Sequence, residues 1–449
     1  MTEEIERTTL KRVMWRLIPF MGACFMINWL DRTNVAFAAL TMNKDLGLTA
    51  TTFGAGAGIF FWGFVLFEVP SNLALAKLGG RVWIARIMIT WGLFAAAMAL
   101  VQGEYSFYAV RFLLGAAEGG FYPGSVYFFS QWVPRSYRGR VYGWFGACGS
   151  VASVISGPLA GYILQMNGVL GMTGWQWLFI LEGLPAAILG IACIFYLQDR
   201  PSQANWLTDE QRAWLVGALS AEKAEDAGQP RVTVLKAMSD PRVLTLAVCY
   251  FFFGFGLYGV GLWLPLVIKE FGFTNVQIGY LSALPAICGI CWMSFRSWHS
   301  DRKNERRWHL VVTGLIGTCG LMLVAWQSWN IYLVMLGFCM TSLGIYVTFP
   351  IMLTWPTAAL SGSAAAAATA VITSLGTSNG YFGAQMIGIF RDMTGDFRLA
   401  MLLTACGVAI APLVVAIFGG YLNSTRYSQS KNTVPVPGSK VAAPGAVGP

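Results

Sequence analysis

Apolar residues run along this chain in stretches of about 20, each closed by a short polar or charged segment. Twelve stretches can be marked, at 14–38, 51–76, 82–101, 105–129, 140–165, 175–197, 243–268, 276–297, 309–327, 330–354, 361–390 and 397–421. Each is long enough to cross a hydrocarbon core of roughly 30 Å as a helix. The period-two alternation of a membrane barrel is absent, and a helix satisfies every backbone group within its own segment, as lipid demands. The pattern predicts an all-α membrane protein with twelve transmembrane helices.

A polar stretch divides the spans six and six. This gives an N-terminal six-helix bundle at 14–197, a cytoplasmic linker at 198–242 and a C-terminal six-helix bundle at 243–421. Residues 1–13 are expected to form a cytoplasmic N-terminus, and 422–449, rich in Ser, Pro, Gly, Ala and Val, a disordered cytoplasmic tail. Within the linker, Thr208-x-x-Gln211 reads as a capping box opening a short amphipathic helix near 208–222. Lys77-Leu-Gly-Gly-Arg81 after span two and Ser300-Asp-Arg through Arg306-Arg307 after span eight hold equivalent places, as parallel repeats would.

Composition narrows the class. Only 11% of the 449 residues are charged and 56% are apolar, against about 25% charged in soluble proteins. A disordered chain, a collagen, a disulfide scaffold and an ordinary cytosolic enzyme are excluded. With the N-terminus inside, the cytoplasmic segments carry 24 of the 30 Lys and Arg, and the outer loops carry Lys44, Lys269, Arg391 and Arg398. This bias sets the orientation, with both termini cytoplasmic. It also accounts for the net charge of +9, for which anionic lipid of the bilayer is partner enough and no nucleic acid is needed. The first span follows Arg7, Lys11, Arg12 and Arg16 and is full length, so it reads as a retained helix and not a cleaved signal peptide. The nine Cys all lie in apolar segments, so disulfides are not expected; Cys288-Gly-Ile-Cys291 reads as small packing residues. The two His, His299 and His309, share one basic stretch, leaving no His for a metal site or proton relay in the membrane. With neither a metal cluster nor a nucleophile–base pair, the chain is not expected to be an enzyme.

Charges inside the spans carry the chemical signal. An ionised group near mid-bilayer costs at least about 2.5–3.5 kcal/mol, so it faces a partner or an aqueous cavity. The first half holds Asp31, Arg32, Glu68, Arg111, Glu118 and Glu182; the second half holds nothing charged well inside a span. Arg111 and Glu118 are seven residues apart on span four, hence on one helix face about 10 Å apart. Asp31 and Arg32 are adjacent on span one, with Asn28 one turn before Arg32. Asp31–Arg111 or Arg32–Glu118 could equally be permanent ion pairs between helices. Glu68 reads as a structural contact as readily as a functional one, and Glu182 reads first as a structural helix contact. Asn379 and Gln385 interrupt span eleven, and Gly376-Thr-Ser-Asn-Gly380 weakens that helix.

Several motifs resemble a known family. These are Trp29-Leu-Asp-Arg-Thr-Asn-Val-Ala-Phe-Ala38, Asn43-Lys-Asp-Leu-Gly47, Phe67-Glu-Val-Pro-Ser-Asn72, Arg111-Phe-Leu-Leu-Gly-Ala-Ala-Glu-Gly-Gly-Phe-Tyr-Pro-Gly124 and Trp177-Leu-Phe-Ile-Leu-Glu-Gly-Leu-Pro185, joined by Ser300-Asp-Arg-Lys-Asn-Glu-Arg-Arg307. Together they are similar to the anion:cation symporters of the major facilitator superfamily, especially bacterial tartrate, phthalate and hydroxyphenylacetate permeases. The resemblance covers nearly all of 10–425, with one departure: Ala76 stands about where the superfamily's usual Asp follows span two. It implies import of a small organic carboxylate (a sugar acid, a tartrate-like acid or an aromatic acid) by proton symport with alternating access. An organic anion antiporter or exporter of the same fold is the alternative. By motif position, Asp31 and Glu118 match the family's protonation sites, and Arg32 and Arg111 match residues that meet or gate the substrate carboxylate. Asn379 falls near a substrate-contacting position, and Asn28 is a neutral polar contact beside them. The resemblance implies no cofactor beyond protons as the coupling ion, a monomer, and a multi-pass place in a bacterial inner (plasma) membrane.

Overall fold

The computed structural model describes residues 2–227, 239–303, 305–326, 328–359 and 362–422. The middle of the linker and the expected tail beyond 422 lie outside the described residues. Every regular element among them is helical. The first half contains α1 (Thr2–Asp45), α2 (Ala50–Leu78), α3 (Gly80–Ala97), α4 (Glu104–Glu118), α5 (Phe121–Ser130), α6 (Arg135–Ile163) and α7 (Gly174–Tyr196). Helix α8 (Asp209–Ala227) lies in the linker. The second half contains α9 (Pro241–Gly254), α10 (Gly261–Lys269), α11 (Asn275–Lys303), α12 (Arg307–Trp326), α13 (Ile331–Ala359), α14 (Gly362–Thr377), α15 (Asn379–Thr394) and α16 (Arg398–Leu422).

Ten helical segments are long and apolar enough to cross a membrane without interruption, α9 and α10 counting as one segment through a π turn at Phe255–Val260. The other two of the twelve spans are broken, α4 from α5 and α14 from α15. The first break has a clear cause. Gly119 closes α4 by donating its N–H to Gly115 O at 3.0 Å, and Gly120 turns the chain with φ +93°. That left-handed conformation favours glycine, and a methyl group at Gly120 would also strike Ser71 Oγ. The second break falls at Ser378, inside the glycine- and hydroxyl-rich run that the sequence marks as weak. Lipid tolerates such breaks only where protein or an aqueous cavity takes up the freed backbone groups.

Packing within each half uses small residues to bring backbones together, as helices in lipid do. Gly115 abuts the Phe60 carbonyl, and Gly183 abuts Ala96 and Gly92. Ile188, Ile191 and Phe195 of α7 are exposed, an apolar surface suited to lipid. The predicted linker helix forms, and its capping box is made in both directions, Gln211 N to Thr208 Oγ1 and Thr208 N to Gln211 Oε1, each 3.3 Å.

The bundle end that carries the N-terminus and linker is here the N-terminal face; the other is the far face. The halves meet most closely toward the far face. Asp392 of α15 accepts from the backbone N–H groups of Ala50 (3.1 Å) and Thr51 (2.7 Å) at the start of α2. Lys269 donates to Leu40 O, the hydroxyls of Tyr162 and Tyr280 meet at 3.3 Å, and Gly157 and Gly279 bring α6 and α11 into backbone contact. A further hydrogen bond crosses between the halves from Ser374 Oγ to Glu68 Oε2 at 3.2 Å, and Tyr346 meets Ser153.

Gly115→Ala is expected to cost about 1–3 kcal/mol through overpacking against Phe60. Gly143, which has nothing within 4 Å of an added methyl, should accept alanine without loss. Thermal unfolding of the two purified variants in detergent checks the contrast.

Candidate functional site

The site is assembled by α1 and α4, which deliver four ionisable side chains to the interior of the first half. Asp31, Arg111 and Glu118 are buried at 1%, 2% and 0% exposure, and the Arg32 side chain retains 19%. Of the four, Arg32 alone keeps appreciable exposure.

Glu118 is the junction. Its Oε1 accepts from Arg32 Nε at 2.5 Å and from Asn28 Nδ2 at 2.8 Å, while Oε2 is buried with no partner. Asn28 and Arg32, one turn apart on α1, therefore grip the same oxygen from the last residue of α4. The Arg32 guanidinium lies 4.7 Å over the Phe64 ring and 5.9 Å from Phe60. Its two terminal nitrogens make no hydrogen bond among the described residues.

Arg111 is differently held. Its Nη2 donates to Ala57 O at 3.1 Å and its guanidinium lies 4.7 Å over Phe60, but Nε and Nη1 are buried without partners. Phe60 thus separates and stacks on both arginines, a geometry that stabilises guanidinium by the ring's negative face. Of the two ion pairs open from the sequence, Arg32–Glu118 is formed. Asp31 instead accepts from Asn34 Nδ2 and Trp91 Nε1, each at 3.0 Å. Neither donor was singled out from the sequence. Asn34 carries a signal, one turn along the same helix face, whereas Trp91 shows none until the neighbouring helix is known. Glu182 lies in this same polar cluster, sharing Asn34 with Asp31.

Asn379 stands at the break of the eleventh span, in the second half. Its amide is fully buried beside Gly254 and Gly383, with both Nδ2 and Oδ1 unpartnered. No bond joins it to Arg32 or Arg111 among the described residues. Tyr258, from the π turn of the seventh span, packs its ring 4.7 Å from Phe61 and lies within electrostatic reach of Arg32 and Glu118.

A family model described as the Major Facilitator Superfamily matches residues 21–384. The chain belongs to the major facilitator superfamily. Relatives agree over full length. A "Putative tartrate transporter" of Agrobacterium vitis is 42% identical over 98% of this chain and 99% of its own. A "Quinolone resistance transporter" of Acinetobacter baumannii is 38% identical over 95% and 96%. The "Putative metabolite transport protein NicT" of Pseudomonas putida is 37% identical over 90% and 93%. The fold is that of the crystal structure of a D-xylose-proton symporter, with a TM-score of 0.71 at 12% identity over 90% of this chain and 96% of that one. A bacterial homolog of the lysosomal transporter Spinster, in an inward-facing conformation, gives 0.71 at 14% identity over 90% and 96%. This superfamily member is a multi-pass membrane transporter and not an enzyme.

Removing one of two donors to a buried carboxylate costs about 1–3 kcal/mol. Asn28→Leu is therefore expected to lower the unfolding temperature, and the penalty should shrink to less than half when Glu118 is already Gln. Equal penalties in both backgrounds, read by thermal unfolding, would place the effect of Asn28 elsewhere.

Proposed function

We propose that the protein imports a small organic carboxylate together with protons across a bacterial inner membrane, by alternating access between its two halves. The observation that carries this reading is Arg111, a fully buried guanidinium with two N–H positions facing no acceptor. A buried charged donor without a partner is costly, and a planar carboxylate is the ligand whose two oxygens suit that fork. The tartrate transporter name of the 42% identical relative supports the same class.

The excess of Lys and Arg in the segments that the sequence assigns to the N-terminal side, 24 of 30, supports a cytoplasmic N-terminal face. With the halves joined toward the far face, this conformation is read as open inward. In the outward-open state, Glu118 and Asp31 take protons. A proton on Glu118 removes the charge that holds Arg32, and Arg32 and Arg111 are then free to bind the substrate carboxylate. Asn28 turns from partner of Glu118 to neutral contact, and Asn379 offers its unpartnered amide from the opposite half. The loaded site is close to neutral, so it passes through the dry intermediate at low cost. Moving one monoanion inward against the potential costs about 2.3 kcal/mol per 100 mV, and each proton carried with it returns that amount. The transporter works as a monomer, with no cofactor, and the proton is its coupling ion.

A second reading, export or antiport of an organic anion through the same site, draws on the 38% identical relative named for quinolone resistance. Counterflow of labelled anion without a pH gradient favours it; accumulation that requires the gradient favours symport.

The test is uptake into proteoliposomes of labelled tartrate, sugar acids, phthalate, hydroxyphenylacetate and nicotinate, with and without an imposed proton gradient. Gradient-driven accumulation of at least one carboxylate is expected. Arg111→Ala should reduce it at least about a hundredfold, the order of one lost charge-assisted pair. Glu118→Gln should lose accumulation while retaining exchange. Normal affinity in Arg111→Ala, or wild-type accumulation in Glu118→Gln, contradicts the assignment.

A further inference from the structure

Glu68, a carboxylate of the first half, is hydrogen-bonded to the second half through Ser374. Spans two and eleven pack along much of their length from the far face inward, Thr51 on Gly388, Gly54 on Ala384, Gly58 on Tyr381 and Phe61 on Gly380. The Ser374–Glu68 bond is the innermost rung of that series. Glu68 is 18 residues into α2 and Ser374 is 18 residues before Asp392, so both lie about 27 Å below the far face at 1.5 Å per residue. Arg32, 13 residues before Asp45, lies about 20 Å below it. Glu68 is therefore about one turn nearer the N-terminal face than Arg32. It follows Phe64, the ring under the Arg32 guanidinium, by four residues on the same helix face. The charged and titratable groups around Arg32 are Glu118 from α4, Glu68 from α2, and Tyr258 and Tyr250 from the second half. Arg32 spends only Nε on Glu118, and its terminal nitrogens are uncommitted.

We propose that Glu68 is the alternate partner of Arg32, taking the guanidinium when Glu118 is protonated and the substrate is leaving toward the N-terminal face, and passing that exchange to the second half through Ser374. The inference rests on the import reading above. Its physical basis is a gap in that cycle. Once the anion departs and before Glu118 loses its proton, Arg32 would be a half-buried cation with no counter-charge. A carboxylate one turn toward the exit fills the gap, competes with the departing anion for Arg32, and so hastens release. The serine hydroxyl keeps that carboxylate attached to the half that must move. Glu68 is thus a positioning residue for release, distinct from the groups that select the anion.

The first test needs no substrate. Thermal unfolding is measured on the full-length protein in detergent for wild type, E68Q, E118Q and the double variant, with E118Q standing for protonated Glu118. The cost of E68Q should be larger in the E118Q background than in wild type by at least about 2 °C, and the excess should vanish when Arg32→Ala is added. It should persist in Ser374→Ala, which keeps the charge. Additive effects, or an excess that survives without Arg32, overturn the proposal. The second test is proteoliposome uptake of labelled L-tartrate. E68Q should lower KM and kcat together, each about threefold or more, as slow release requires. A lowered kcat with KM unchanged or raised points to a structural role and overturns it. Absence of tartrate uptake by the wild-type protein counts against the import reading alone, because the unfolding cycle is read without any anion.

Discussion

A carboxylate with no access to water, Glu118, is held by an arginine and an asparagine that both approach a single oxygen. The other oxygen, Oε2, is bare. Burying such a pair of charges is not a good way to stabilise helices. The desolvation penalty in a low-dielectric interior rivals the attraction, and a well-packed apolar pair does as well or better. In the proposed cycle the pair is a device with two states. Ionised, Glu118 occupies Arg32. Protonated, it would release that arginine. The protein's own carboxylate and the transported one would then compete for the same guanidinium, with the proton deciding between them.

The fold supplies what this exchange requires. The break between α4 and α5 at Gly119-Gly120 follows directly on Glu118, so the carboxyl sits at a helix end and not in mid-helix. The C-terminal end of a helix presents carbonyls with partial negative charge, which suits an arginine close by. The eleventh span breaks at Ser378 beside Asn379, and the seventh passes through a π turn that carries Tyr258. Irregular backbone at membrane depth lies at these places, bordering the charged cluster or the facing half. The far-face contacts between halves join polar links to a shared apolar layer, in which Phe53 meets Trp263 edge-on at 5.3 Å. Any exchange of access must part that layer.

Much of the fold was legible in the sequence because one constraint dominates it. Twenty apolar residues in a row, repeated twelve times, leave little choice of secondary structure in lipid. The helix breaks were less legible. As sequence, Gly115 and Gly119-Gly120 suggest close approach of helices, a role that Gly115 and Gly119 do serve against α2. The need for a left-handed residue at Gly120 appears only with the backbone in hand. At the site, burial cost singled out the charged residues, and helix periodicity placed Arg111 and Glu118 on one face. The pairing was not readable. Adjacent residues on α1 point about 100° apart, so Asp31 and Arg32 face different neighbours, and which helices supply them depends on packing. Hence Asp31 meets Trp91 and Asn34 while Arg32 meets Glu118. Ala57 was invisible as the acceptor for Arg111, since any residue offers a carbonyl and only the third dimension shows which one is near.

The central claim is that anion binding and protonation of Glu118 are a single linked event. The most direct measurement is the number of protons taken up when a transported carboxylate binds to the purified protein in weakly buffered detergent solution, followed with a pH indicator at neutral pH. The account predicts that protons enter the protein on binding and that Glu118→Gln takes up fewer of them, by up to one per bound anion. Binding that leaves the proton count unchanged, or an uptake that is the same with glutamine at position 118, would contradict it.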